Sequence, residues 1–386
     1  MPIQNRKSKI ENPLSPWLYF RRNLGKSLPV SFVIVLAVAL VACVVSLVDS
    51  IDLTVLTMYG YNRHFTVVTP RNSLAVAEDI AALIKKEPLT GQMYEARPAF
   101  TVVKTIFGKM PFVVFGVEQS AREEILHRCR LQVATGRLPA DGAPELALSE
   151  EIARNRKLKL GDVVLKPDSE DSFATVPMKL VGTFRGPVWL AMSSETFIRE
   201  NFAVSPQGFL VVAKDPATQG ALDRALEKSV DKARARVWTY HGLVRETKDA
   251  LSSLYLIMGT VIGIIVFSIS FLTGMLTNIY FTQRLPEFAT LAAIGYQRST
   301  LLKRVLGETA ILSLIGWTVG SVLTLAVLLA IQASIMAPRG LLLDPYDFAA
   351  YRFTLPLPIT IAAFALVAVG QRIKKLDPVA IIERRQ

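Results

Sequence analysis

Between Asp249 and Arg284 the sequence carries no charged residue. A helix rises about 1.5 Å per residue, so this run outlasts the roughly 30 Å hydrocarbon core of a bilayer. It predicts a membrane span that continues beyond the bilayer as a stalk. Three further runs have the same character: Ser27–Ser50, uncharged until Asp49, then Thr309–Pro338 and Phe353–Gly370. A cleaved signal peptide is the competing reading of the first. That run begins late, is long for a signal segment and ends without a small-x-small cleavage site, so an uncleaved anchor is preferred. The chain is therefore expected to be a membrane protein with four transmembrane helices, at 28–48, 251–279, 305–336 and 353–370. Hydrophobic residues make up 51% of it and the mean hydropathy is +0.36, high for a soluble protein of this length.

Basic residues gather beside the apolar runs. Arg6, Lys7, Lys9, Arg21, Arg22 and Lys26 precede the first, and both the connector 280–304 and the tail 371–386 are basic-rich. The link 337–352 is balanced, with Arg339 and Arg352 against Asp344 and Asp347. Cytoplasmic segments carry the Lys and Arg excess, which puts both termini and the connector inside and residues 49–250 outside an inner or plasma membrane. The net charge of +12 then reflects topology. Nucleic acid is not an expected partner, because no basic groove interleaved with aromatic residues is visible. Residues 1–27 place Trp17, Leu18 and Phe20 among basic residues and read as an interfacial helix on lipid.

Residues 49–250 read as a large α+β extracytoplasmic domain inserted between the first and second spans. Segments 64–69, 208–214 and 236–240 alternate as strands, while 73–86 and 218–235 have apolar residues at helical spacing. Segments 99–107 and 110–117 read as a strand pair turning around Gly108 and Lys109. The two ends of the domain are thus βαβ-like lobes, and 136–167 with 176–186 forms a small β-rich insert.

Chemistry of its own is not evident. No G-x-x-x-x-G-K-[ST], H-E-x-x-H or G-x-S-x-G stretch occurs. Cys43 and Cys129 suggest no disulfide framework, and His64, His127 and His241 stand alone. No catalytic, metal or cofactor residue is nominated.

The connector is the most specific stretch. Pro286 suits the start of a helix, Glu287 complements the positive end of its dipole, and Gly295 suits a left-handed cap, giving a short helix at 286–294. The series Arg284, Glu287, Leu291, Ala293, Gly295, followed by Glu308, Gly316 and Gly320, resembles the R-x-x-E-x-x-x-L-x-A-x-G…E…G…G signature of FtsX/MacB-like ABC transporter permeases. Asp377 and Pro378 in the tail resemble that family's closing element, and Gly136-Arg137 with 146–164 resemble its external domain.

The resemblance implies a homodimeric permease without an ATP site, paired with a separate ABC ATPase that binds ATP and Mg. The connector helix would dock on that ATPase through Arg284, Glu287, Phe288, Leu291, Ala293 and Gly295. Phe288 and Leu291 lie three apart and are expected to fill a groove on the partner or, alternatively, to pack onto the spans. Glu308 stands four residues after Arg304 and is expected to pair with it. Gly316 and Gly320 would allow close helix packing. The function expected first is export of a small amphiphile, peptide or lipid, with a periplasmic adaptor in an outer-membrane system. Cargo-free signalling to a cell-wall hydrolase or sensor kinase is the alternative within the class. A membrane-anchored receptor or adhesion domain is the alternative outside it.

Overall fold

The computed structural model describes residues 24–106 and 108–374. The tail residues Asp377 and Pro378, and most of the expected interfacial helix, lie outside them. The chain divides into two units. One is helical, built from residues up to Asp49, Leu254–Ala330 and the residues from Asp344 onward; the other is α+β, built from Ser50–Ser253 with Ile331–Leu343.

Helix α1 (Leu24–Met58) contributes residues to both units. The α+β unit then runs through β1 (Thr66–Pro70), α2 (Glu78–Lys86), β2 (Thr90–Thr105), β3 (Gly108–Val117), α3 (Gln119–Arg128) and β4 (Gln132–Gly136). It continues through β5 (Glu145–Ser149), α4 (Glu150–Arg156), β6 (Val163–Leu165), β7 (Met178–Arg185), β8 (Ala191–Ser194) and α5 (Glu195–Asn201). It ends with β9 (Gly208–Ala213), α6 (Gln219–Ser229), β10 (Ala235–Trp238) and α7 (Tyr240–Ala250).

All ten strands join one sheet, and β2 serves two lobes. In the first lobe the order is β10-β1-β9-β2, every neighbour antiparallel. With α2 and α6 this is a pair of split βαβ units, a ferredoxin-like arrangement drawn from both ends of the unit. Ile80 and Ile84 of α2, and Leu222 and Leu226 of α6, stand four apart and bury against Val68 and Val211. Residues 90–96 of β2 pair with β9, and 96–105 pair with β3. Pro98, which has no N–H, sits just past the last β9 pair, Ala96↔Gly208, so the missing donor interrupts nothing on that side. The second lobe follows as β3-β8-β5-β7-β4, with β6 on β7. Its core includes Phe112, Phe115, Ile125, Leu146, Leu148, Ile152, Phe184 and Ile198.

One expectation is corrected here. The register pairs Thr105 with Gly108 and Lys104 with Lys109, so Gly108 and Lys109 belong to β3 and the reversal precedes them.

The helical unit contains α8 (Ser252–Thr282), α9 (Leu285–Ala293), α10 (Arg298–Ile331), α11 (Phe348–Arg352) and α12 (Pro356–Lys374). Its core joins Val30, Ile34, Val38 and Val41 of α1 to Leu301 and Val305 of α10 and Leu357 and Ile361 of α12. Three helices among the described residues are long and apolar enough to cross a membrane: Leu28–Met58, Ser252–Leu276 and Ser299–Arg339. The run expected as a fourth span falls largely on α12, which is not one of these three. Polar side chains stitch helices together inside this unit. Trp317 Nε1 donates to Thr354 Oγ1 at 2.9 Å, and Thr360 Oγ1 donates to Ser270 Oγ at 2.9 Å.

Candidate functional site

The connector between α8 and α10 folds into one amphipathic helix with a defined stop. Pro286 stands in the first turn of α9 and Glu287 follows it. The helix closes in a Schellman arrangement: the Gly295 N–H reaches the Ala292 carbonyl at 3.0 Å, and the Tyr296 N–H reaches that of Leu291 at 3.1 Å. Gly295 adopts φ +101, a conformation that side-chain-bearing residues resist. The stop depends on that residue.

Beneath the helix lies a buried charge cluster. The Arg284 guanidinium donates to Glu308 through both terminal nitrogens, Nη2 reaching Oε1 at 3.3 Å, and donates through Nε to Glu287 Oε2 at 3.2 Å. Arg304 Nε donates to the same Glu308 Oε1 at 3.1 Å. Arg284 and Glu308 are each almost fully buried, while Glu287 is half-exposed. The Arg284 guanidinium also lies 5.1 Å from the centroid of the Phe288 ring. One carboxylate thus holds two arginines, which satisfies charges that burial would otherwise make costly. The pairing of Arg304 with Glu308 follows from i,i+4 spacing. The pairing of Arg284 with Glu308 spans a helix reversal, and no local spacing signals it.

The residues nominated for docking divide between two faces. Phe288 is 1% exposed and belongs to the core of the helical unit, with Leu291 half-buried against it. As an outward anchor Phe288 is therefore corrected: it packs down onto the spans. Arg284 is buried as well. Glu287, Thr290, Ala293 and Gly295 are exposed, and Ile294, which the sequence reading missed, is 71% exposed. The signal for Ile294 was available, since a residue one turn past Thr290 and just before the capping glycine points away from the Phe288 face.

Gly316 and Gly320 lie elsewhere, on the α10 face that meets α1. A Cβ at Gly316 would come within 2.7 Å of Ile34 Cγ2, and one at Gly320 within 2.8 Å of Val38 Cβ. Only glycine lets the two helices approach so closely.

Long apolar helices flank this connector, and the α+β unit follows the first apolar helix in the chain. Residues 259–378, which contain the connector and the charge cluster, match the family model described as FtsX-like permease C-terminal. This part of the chain thus belongs with the C-terminal domains of FtsX-like permeases. No curated protein matches it in sequence. Among solved structures it is similar to the periplasmic region of MacB from Actinobacillus actinomycetemcomitans, with 10% identity over 48% of this chain and 92% of that one, at TM-score 0.30. It is also similar to the extracellular domain of the noncanonic ABC-type transporter YknZ from Gram-positive bacteria, with 14% identity over 46% and 99%, at TM-score 0.28. At these scores neither overlap carries an argument about this chain.

Proposed function

We propose that this permease converts ATP hydrolysis by a separate ATPase subunit into movement of its α+β unit, and so exports a small amphiphile, peptide or lipid. ATP and Mg are held by the partner. The observation that carries the reading is α9: a short helix anchored by Arg284, Phe288 and Glu308, offering Glu287, Thr290, Ala293 and Ile294 to a partner. In this reading α12 is the fourth span. Both termini and the connector are cytoplasmic, and the α+β unit lies outside, following the distribution of Lys and Arg. Two copies assemble through α8, where Cβ atoms at Gly259 and Gly263 would have no neighbour within 4 Å.

The experiment is co-purification of the full chain with its ABC ATPase, followed by ATP hydrolysis in lipid with candidate amphiphiles. Ile294→Asp is expected to abolish co-purification while leaving membrane insertion intact. Retained co-purification would remove α9 from the interface. Substrate-stimulated hydrolysis supports export, whereas hydrolysis that answers only to a hydrolase or sensor-kinase partner would replace export with signalling.

A further inference from the structure

The stretch Ile331–Leu343, which begins at the last residue of α10 and includes the end of the third apolar helix, belongs to the α+β unit. It leaves α10 through a π turn, Gln332–Met336, and a single 3-10 turn, Ala337–Arg339. Two features then fasten the stretch to the second lobe.

The first is Asn155 of α4, which is 3% exposed. Its Nδ2 donates to the Arg339 carbonyl at 3.0 Å and to the Lys104 carbonyl at 2.8 Å, and its Oδ1 accepts from the Lys104 N–H at 2.8 Å. One amide thus ties together β2, α4 and the stretch after α10. The second is Gly340, at φ +62, where a Cβ would lie 2.5 Å from the Glu151 carbonyl oxygen and 2.8 Å from the Asn155 nitrogen. The backbone approaches α4 more closely than any side chain would permit. Leu342 packs on the second-lobe core, and Gln332 Nε2 donates to the Leu343 carbonyl at 3.1 Å, closing the stretch on itself.

The first lobe has a different set of fastenings. Lys248 of α7 pairs with Asp52 of α1 at 3.1 Å, and Thr247 Oγ1 donates to the Tyr59 hydroxyl at 3.5 Å. Arg63 lies 4.3 Å from the Tyr240 ring centroid and donates to its hydroxyl. The end of α1 and the turn after it thus serve both lobes, since Met58, Tyr61 and Phe65 lie in the second-lobe core, whereas the segment after α10 is fastened to the second.

We infer that Asn155 and Gly340 form a strut through which displacement of α10 acts on the second lobe and moves it against the first along β2. Asn155 is a positioning residue in this device, not one that touches cargo. The inference rests on the coupling reading proposed above and names its route.

The test uses the full chain in lipid nanodiscs with its ATPase. Asn155→Ala removes the amide, and Gly340→Ala disturbs the backbone approach and the left-handed turn while keeping the amide. In the absence of nucleotide, hydrogen exchange of peptides covering 337–343 is expected to accelerate about tenfold in both variants, while β1, β9 and β10 exchange as in the parent chain. Unchanged exchange at 337–343 would show that the strut does not exist. Spin labels at Glu170 in the second lobe and Lys228 in the first then report the distance between lobes with and without a non-hydrolysable ATP analogue. A nucleotide-linked change in the parent that shrinks by half or more in both variants supports the strut. A change that persists undiminished overturns it alone. No change in the parent overturns the coupling reading itself.

Discussion

Arg284 and Glu308 stand 24 positions apart, on opposite sides of a helix reversal, and bury against each other with barely any exposure. The pair ties the residue just before α9 to α10. Its energetic sign depends on what is removed. Replacing one partner strands the other charge in a buried place, at a cost of about 3–5 kcal/mol. Glu308→Gln strands two arginines and is expected to lower thermal stability of the detergent-solubilised chain more than Arg304→Gln, whose side chain is the more exposed. The double variant Arg284→Met with Glu308→Leu is expected to recover much of the loss. Destabilisation by the double variant equal to the sum of its two single variants would show that the charges act independently.

The two faces of α9 separate stability from docking. Phe288→Ala opens a cavity in the helical core and is expected to cost about 3–5 kcal/mol in unfolding measurements. Ile294→Asp changes an exposed side chain and is expected to leave the melting temperature unchanged. Loss of an apolar hot spot of about 2 kcal/mol would weaken ATPase binding about thirtyfold, measured by titration of the solubilised pair. If Phe288→Ala weakens binding at unchanged stability, the outward face has been assigned to the wrong side.

The sequence reading and the structure agree most where periodicity is strong. The long uncharged runs, the α2 and α6 helices with apolar residues four apart, and the glycine stop at Gly295 are all local signals. Two kinds of feature escaped. One is pairing at a distance, such as Arg284 with Glu308 or Asn155 with Arg339, because no spacing rule links residues brought together by packing. The other is residues 90–98 of β2, whose polar side chains and Pro98 hide a strand held by β9 on one side and by β3 on the other. Phe288 shows the limit of composition as a guide. An apolar residue on a short helix suits a partner's groove and its own protein's core equally well, and only burial decides.

Asp223 gives the α+β unit a dependence on pH. Burial raises its pKa from the ordinary 3.8, against the opposing effect of hydrogen bonds from Thr66 and Gln219. Nearby Glu227 raises it further, and His241 lowers it. A carboxyl whose folded pKa is raised binds its proton more tightly in the folded state. As pH climbs from the unfolded value through the folded one, the unfolded chain releases the proton first and stability falls. The melting temperature of the parent chain relative to Asp223→Asn is therefore expected to decline as pH climbs above about 4. An identical slope in the two would show that Asp223 does not titrate differently on folding.

Glycines on two helices give opposite expectations for the same substitution. Alanine is favoured over glycine inside a helix by about 1 kcal/mol, so Gly→Ala stabilises where space allows. At Gly320 the new methyl would lie 2.8 Å from Val38 Cβ and 3.0 Å from the Val35 carbonyl oxygen. Backbone cannot yield there as a flexible side chain could, and overpacking of about 1–3 kcal/mol outweighs the propensity gain. Gly320→Ala is thus expected to lower the melting temperature of the solubilised chain. At Gly263 a Cβ has no neighbour within 4 Å, so Gly263→Ala is expected to leave the single chain's stability equal or higher. The bulkier Gly263→Leu tests the homodimer through the same helix. If α8 meets a second copy at Gly259 and Gly263, leucine keeps the backbones apart, and crosslinking in lipid is expected to show mostly monomer at an unchanged melting temperature. A persistent dimer would move the contact to another face.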